Sequence, residues 1–307
     1  MSDNVIVISH SEVESYLSCN MKHYYAFGDD SLGGPKKGLE PKRFSDALFR
    51  GITGHEALGT FYQAIKDGKT LDEAAHASVM TLQAIAIRPE VLTHATHLNI
   101  VSDLQGRILP RYFEQGAKPL LAEGWRPEYV EQTFRLELPY EDFRLVYPFK
   151  PDVVMLDATG NRWVWDHKFL YNFYSSDDIN LLPQIPKYIG ALRATGLHVK
   201  GGYYNQLRWR EVKDFSAHVR TDKFIPTDAR VKNAFRQQYD VMVEIAKRKL
   251  ATNEEWHSSS RRVLSTMVCK SCSFKYLCTQ ELNGTDATLT KRVEFLPNSY
   301  GYSAESE

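Results

Sequence analysis

Two short runs rich in β-branched and aromatic residues, 152–156 and 162–168, are joined by Asp157-Ala158-Thr159-Gly160-Asn161, residues that favour a tight turn. The pattern predicts a hairpin, and the register of that hairpin decides its chemistry. With Leu156 opposite Arg162, Asp152 falls opposite Asp166. Lys168, two residues on, then projects from the same face, because side chains alternate along a strand. A slip of one residue would turn the whole set to the other face. Two carboxylates opposed across strands repel. Set among Val154, Leu156 and Val164, they need a cation, either a lysine or a hard divalent metal. Oxygen ligands with an open coordination position suit Mg²⁺ or Mn²⁺. Such an ion polarises a phosphate and lowers the pKa of bound water, while a neighbouring lysine orients the nucleophile or screens developing charge. Taken alone, an Asp-x-Lys hairpin is more often a solvated surface.

Strand-like runs at 129–138 and 143–147 precede the hairpin, and another at 202–208 follows it. Helical periodicity marks 9–27, where Ser9 and Ser11 stand three residues ahead of Glu12 and Glu14 in capping-box spacing. It marks 47–66 too, with Leu48, Ile52, His55, Gly59 and Tyr62 on one stripe, and then 71–87 and 93–123. Two further helices are expected at 182–195, with Pro183 in the first turn, and at 229–251. The stretch 29–42 carries Gly33, Gly34, Pro35, Gly38 and Pro41 and reads as a loop. This order of elements predicts an α/β fold with a central mixed sheet flanked by helices. One domain over 1–307 is expected, with a mainly helical part at 1–123, a sheet core at 124–210 and a helical part at 211–307.

With 43% hydrophobic and 25% charged residues the composition is that of a globular chain, and no apolar run is long enough to span a bilayer. Met1-Ser2-Asp3-Asn4 lacks the basic and apolar regions of a signal peptide, so a cytoplasmic location without membrane contact is expected. Basic and acidic residues number 38 each, which argues against nucleic-acid binding by global charge. Basic residues do gather locally: Lys36, Lys37, Lys42 and Arg43; Arg208 and Arg210; Lys247, Arg248 and Lys249; Arg261 and Arg262. Each group by itself reads as solvated surface, yet a basic groove around a site is compatible with a neutral total. Gly68-Lys69-Thr70 has the ending of a phosphate-binding loop, but Gln63 stands where that loop needs glycine, so no nucleotide-driven motor is encoded.

Four cysteines are placed unevenly: Cys19 near the start, and Cys269, Cys272 and Cys278 near the end. In a reducing compartment disulfides explain them poorly. Four thiolates suit an iron–sulfur cluster or a structural zinc ion, although zinc sites more often use two paired Cys-x-x-Cys knuckles.

Taken in order, Gly51…His55, Asp152, Asp166-His167-Lys168 and Gln184…Tyr188 resemble the PD-(D/E)XK nuclease superfamily, and specifically its RecB-like branch. There Gly-x-x-x-His on a helix, an aspartate on one strand, Asp/Glu-x-Lys on the next and Gln-x-x-x-Tyr on a helix follow one another. The resemblance spans nearly the whole chain and implies a restriction-endonuclease-like core. It implies Mg²⁺ or Mn²⁺ held by His55, Asp152 and Asp166, with the main-chain carbonyl of His167 as a further ligand. Lys168 would position the attacking water, and Gln184 and Tyr188 would support the site and contact DNA. His55 on its own stripe would read as a core histidine; beside two carboxylates its imidazole biases the site towards Mn²⁺. The chain departs from the family at Phe149, where glycine is frequent.

Some members of the branch bind a [4Fe–4S] cluster through one N-terminal and three C-terminal cysteines. The resemblance extends that role to Cys19, Cys269, Cys272 and Cys278. It further implies an exonuclease on single-stranded DNA, like the CRISPR-associated RecB-like proteins. Such an enzyme would serve DNA repair or recombination, CRISPR adaptation or viral genome processing, with protein partners in a recombination or CRISPR complex. The alternative is a non-catalytic DNA-binding iron–sulfur module of a larger complex. Against it stands the intact Asp152, Asp166 and Lys168, since a dead domain has no physical reason to keep a repulsive carboxylate pair.

Overall fold

The computed structural model describes residues 5–33, 37–42, 45–211 and 218–298. Residues 1–4 and Gly34, Pro35, Lys36 and Arg43 lie outside the described residues. In chain order the strands are β1 (Val5–Val7), β2 (Leu39–Pro41), β3 (Arg126–Val130), β4 (Phe134–Tyr140), β5 (Phe143–Phe149), β6 (Val153–Leu156), β7 (Arg162–Leu170), β8 (Gly201–Arg208), β9 (Val219–Phe224) and β10 (Phe295–Pro297). The helices used below are α1 (His10–Ser18), α2 (Asn20–Phe27), α3 (Asp46–Lys66), α4 (Leu71–Ala86), α5 (Ala95–Asp103), α6 (Gln184–Ala194) and α7 (Asp228–Leu250). The chain forms two compact units: Asp46–Phe134 with Lys150–Phe235, and Met1–Ser45 with Arg135–Phe149 and Arg236–Glu307. No helix among the described residues is long and apolar enough to cross a membrane.

The first of these units holds the expected hairpin in a mixed five-stranded sheet of order β3-β6-β7-β8-β9, parallel only between β7 and β8. Leu156 pairs with Arg162 and Val153 with Trp165, so one step further along the same register Asp152 stands opposite Asp166. Asp157 pins that register. Its Oδ1 accepts the backbone N–H groups of Thr159 and Asn161, each at 2.9 Å, and its Oδ2 accepts the Trp163 indole N–H at 2.9 Å. Gly160 supplies the left-handed residue of the turn at φ 83°.

Three helical segments cover one face of this sheet. α3 brings Ala57, Leu58, Phe61 and Tyr62, α4 brings Leu82 and Ile85, and the run that begins with α5 brings Val101, Leu104, Ile108 and Tyr112. They pack on Val153, Met155, Trp163, Trp165 and Leu207 of the strands. Each such side chain contributes roughly 1.5–3 kcal/mol when withdrawn from water. The run expected as one helix over 93–123 passes through two π-turns, Leu104–Ile108 and Phe113–Ala117. The stripe expected as the buried side of α3 is turned the other way at its start, with Leu48 and Ile52 48% and 44% exposed. Its buried side instead carries Phe49, Gly54, Ala57 and Phe61. Gly68, with φ 83°, follows α3 and Thr70 caps α4 in a capping box with Glu73, which accounts for Gly68-Lys69-Thr70 structurally.

Two expected boundaries fail for identifiable reasons. The run 129–138 is two strands, because β3 ends at Val130 and Glu131 takes the left-handed φ of 46° before β4 begins. The helix over 9–27 breaks at Cys19, whose backbone is extended (φ −170°, ψ 123°). The helix expected at 182–195 is present as Gln184–Ala194, with Pro183 as its N-cap and Thr195 as its C-cap.

The other unit contains a sheet of order β1-β5-β4 and a two-stranded ladder of β2 with β10, so the stretch 29–42 is not all loop. Its core includes Met21, Tyr24, Tyr25, Leu39, Trp256, Phe274, Leu277 and Phe295. Lys249 is drawn out of the expected surface group at the end of α7: its Nζ lies 2.9 Å from Glu12, a buried carboxylate that also contacts His23 at 3.2 Å.

α3 approaches β7 through Gly54, where an added Cβ would stand 2.3 Å from the Phe169 ring, whereas at Gly51 it would meet nothing within 4 Å. Gly54→Ala is expected to destabilise the protein by about 1–3 kcal/mol through overpacking. Gly51→Ala should leave stability unchanged or raise it by up to about 1 kcal/mol, since alanine is the better helix former. Denaturant midpoints of the two variants check both.

Candidate active site

Asp152 precedes β6 directly and is tied to the adjacent strand, its Oδ2 accepting the N–H of His167 at 2.7 Å. Asp166, on β7, is 1% exposed. The Lys168 ammonium lies 2.8 Å from one oxygen of Asp166 and 3.1 Å from the other. The hairpin register therefore brings the expected triad together on one face.

α6 holds the lysine from the far side. Lys168 donates to Gln184 Oε1 at 2.6 Å, the Gln184 amide donates to the Tyr188 hydroxyl at 3.3 Å, and that hydroxyl donates to the Lys150 carbonyl at 3.3 Å. Gln184 and Tyr188 share a face because they are four residues apart on a helix. Tyr188, only 4% exposed, reaches the lysine through Gln184.

α3 supplies His55, whose Nδ1 lies 3.4 Å from Asp152 Oδ2 yet is buried and makes no hydrogen bond. The His167 ring is turned to different neighbours: its Nδ1 contacts the Asn205 amide at 2.8 Å and it stacks on Tyr62. Only the backbone of His167 belongs to the site. Glu56, next to His55, pairs instead with Arg88 at 2.6 Å.

One residue escaped the sequence reading. Among the described residues, the group whose potential metal-ligand atoms all lie within 4.8 Å of one another is His55, Glu131 and Asp152. Glu131 reaches this position through its left-handed backbone (φ 46°) and the bond from its N–H to the Asp152 carbonyl at 2.9 Å. Space for it exists because residue 59 of α3 is glycine; an added Cβ there would come within 3.0 Å of Glu131 Cγ. Its only trace in the sequence is a polar interruption, Glu131-Gln132, in an otherwise strand-like run. Lys150 pairs with it at 2.5 Å.

Three carboxylates crowd this point against two ammonium groups. Burial pushes the Asp152 carboxyl up to about 6, with Lys168 opposing. Burial likewise pushes Asp166 up to about 6, Lys168 opposing and the Asp152 charge adding to the rise. Glu131 is raised by burial and by Asp152. Burial keeps His55 neutral, leaving a lone pair for coordination. Burial also disfavours the Lys168 ammonium, but Asp166 and Asp152 outweigh it and hold its pKa above the usual lysine value. The fold thus concentrates negative charge beside an unpartnered imidazole nitrogen, and a divalent cation fits that donor set. His55, Glu131 and Asp152 also line a cleft of about 1450 Å³ that opens along α3 and α4.

In the other unit Cys19, Cys269, Cys272 and Cys278 line one cavity of about 110 Å³, together with Met21, Tyr25 and Phe274. Val263 donates its N–H to Cys19 Sγ at 3.4 Å. Burial raises the Cys272 thiol, and negative charge at Cys19 and Cys269 would raise it further. No three of the sulfurs stand within 4.8 Å of one another among the described residues. A single tetrahedral zinc would need them about 3.8 Å apart, given Zn–S bonds of about 2.3 Å.

A family model described as the PD-(D/E)XK nuclease superfamily matches residues 7–279. Among solved structures, the crystal structure of SSO0001 is similar at 12% identity, covering 75% of this chain and 94% of that one with a TM-score of 0.35. No curated protein matches. The family match extends over most of the 307 residues and takes in the hairpin, His55, Gln184 and Tyr188, and the protein therefore belongs to the PD-(D/E)XK nuclease superfamily.

Proposed function

We propose that the protein is a Mg²⁺- or Mn²⁺-dependent DNA nuclease that acts as an exonuclease on single strands. The observation that carries this reading is the unpartnered His55 Nδ1, 3.4 Å from Asp152, in a group that also includes Glu131. His55, Asp152 and Glu131 would hold the ion, with Asp166 and the His167 carbonyl beside them. When bound, the metal supplies Lewis acidity to a phosphate and to its attacking water. Lys168 stays protonated between Asp166 and Gln184 and acts as a fixed positive charge that orients the nucleophile and stabilises the charge developing on the phosphate. Gln184 and Tyr188 are positioning residues for that charge. The [4Fe–4S] cluster implied by the resemblance remains part of the reading. The common cavity of the four cysteines supports it, since in a cluster the thiolates bind different iron atoms. Its role would be architectural. DNA repair or recombination, CRISPR adaptation and viral genome processing are the settings that fit this activity.

Lys168→Ala is expected to lower Mn²⁺-dependent cleavage of end-labelled single-stranded DNA by at least about 10²-fold, the usual effect of losing one preorganised charge. Full activity in this variant would overturn the role given to Lys168, whereas absence of cleavage by the parent protein would favour the non-catalytic DNA-binding module.

Asp152→Asn should abolish cleavage and yet stabilise the metal-free protein by about 1–2 kcal/mol at pH 7.5, because it removes a buried charge whose folded pKa is raised. The same sign governs pH. A carboxyl raised to about 6 when folded binds a proton that the unfolded chain releases until about 3.8, so metal-free stability rises as pH falls through about 6. Metal binding needs the ionised form and weakens over the same range. The increase in melting temperature on adding Mn²⁺ should therefore be large at pH 7.5 and small at pH 5.

Anaerobically purified protein should carry iron with visible absorbance, both lost in Cys19→Ser while cleavage chemistry at Asp166 stays intact in any folded remainder. Stoichiometric zinc without iron would overturn the cluster assignment.

A further inference from the structure

Beyond the ends of β7 and β8 the first unit carries a cluster of arginines and aromatic rings, within which Trp209 packs on the core and takes Arg50 over its ring at 4.7 Å. The guanidinium of Arg208 lies 3.9 Å from the centre of the Phe173 ring, and that of Arg220 lies 5.2 Å from the same ring. Arg210 stands 5.5 Å from the ring of Tyr171, which meets Trp209 edge-on at 4.8 Å. The two chain segments are held side by side, since Leu170 pairs with Arg208 and the Trp209 N–H donates to the Leu170 carbonyl at 2.9 Å. Arg220 has a partner in Asp222 at 2.7 Å. Among the described residues no carboxylate pairs with Arg208 or Arg210. Burial, with the neighbouring charges of Arg210 and Arg220, disfavours the cation of Arg208. Tyr171 is 50% exposed.

Arg208 and Arg210, which have no carboxylate partner among the described residues, gain most from a polyanion, whose phosphates supply a counter-charge. Rings interleaved among them offer faces on which unpaired bases can stack, a contact that a closed duplex denies. The place is also specific. Tyr171 follows Lys168 by three residues, a span of about 10 Å in extended chain, or one to two nucleotides of a strand. The large cleft along α3 and α4 is the poorer path for a phosphate chain, since Glu56, Asp67, Asp72 and Glu73 line it.

We propose that Tyr171, Phe173, Trp209, Arg208, Arg210 and Arg220 form a binding track for a single DNA strand leading to Asp166 and Lys168. The arginines take the phosphates, and the exposed ring of Tyr171, backed by Trp209, takes a base. This rests on the nuclease reading for the identity of the polymer, but its test requires no cleavage.

The test is fluorescence anisotropy of the full chain in EDTA with a labelled single-stranded DNA, the same sequence as duplex, and the same sequence as single-stranded RNA. Tyr171→Ala should weaken single-stranded DNA binding roughly tenfold, within the range measured for base stacking on aromatic residues, and leave duplex binding within about twofold. Arg210→Ala should weaken binding and lower the salt slope of log K by about 0.7, one phosphate contact on a single strand. Unchanged single-strand affinity in both variants, with circular dichroism matching the parent, overturns the track. So does an equal loss on duplex and single strand in Tyr171→Ala, or an effect confined to RNA. If these effects hold while Lys168→Ala still cleaves at the parental rate, the track stands and the nuclease mechanism falls.

Discussion

The site depends on a repulsion. Asp152 and Asp166 are set opposite each other by the pairing of β6 with β7, in a place from which water is largely excluded, and Glu131 adds a third carboxylate. Burial raises the pKa of all three, and the Asp152 charge adds to the rise at Asp166 and Glu131. Lys168 and Lys150 relieve part of the strain. What remains is a concentration of negative charge whose donor set fits a divalent cation, retained at a cost in stability.

The surrounding elements follow from that constraint. The Asp157 turn prevents a one-residue slip that would scatter the triad. α3 lies close on β7 because Gly54 lets the Phe169 ring approach, and this closeness brings His55 to Asp152. Gly59, one turn on, opens room for Glu131. α6 fixes Lys168 through Gln184, so its charge sits at a defined point instead of sweeping the range that a free lysine side chain would. Each glycine matters here for what it leaves empty.

The cysteines show a second use of backbone geometry. Cys19 interrupts what its neighbours would otherwise make a single helix, and its extended backbone separates α1 from α2. Within one unit this places its sulfur on the cavity shared with Cys269, Cys272 and Cys278, although the chain between them is long. Ser18, Cys19 and Asn20 are weak helix formers, so the local sequence permits the break that the fold uses.

Much of the site was legible in the sequence because strand periodicity is rigid. Once 157–161 is a turn, the alternation of side chains leaves one register that gathers Asp152, Asp166 and Lys168, and the helical spacing of Gln184 and Tyr188 is equally local. The mixed sheet and its family followed from the order of such local patterns. Only the tertiary structure decided the rest. Glu131 joins the site by a left-handed backbone at a strand end, and periodicity offers no clue to a conformation that breaks the period. The α3 stripe turned towards a cleft, since the sequence specifies a face but not what it faces. Arg208, Arg210 and Tyr171 were ordinary surface residues until the parallel pairing of β7 with β8 laid distant segments side by side. Local periodicity is written in neighbouring residues; contacts between distant ones are set by packing, and packing is a property of the whole chain.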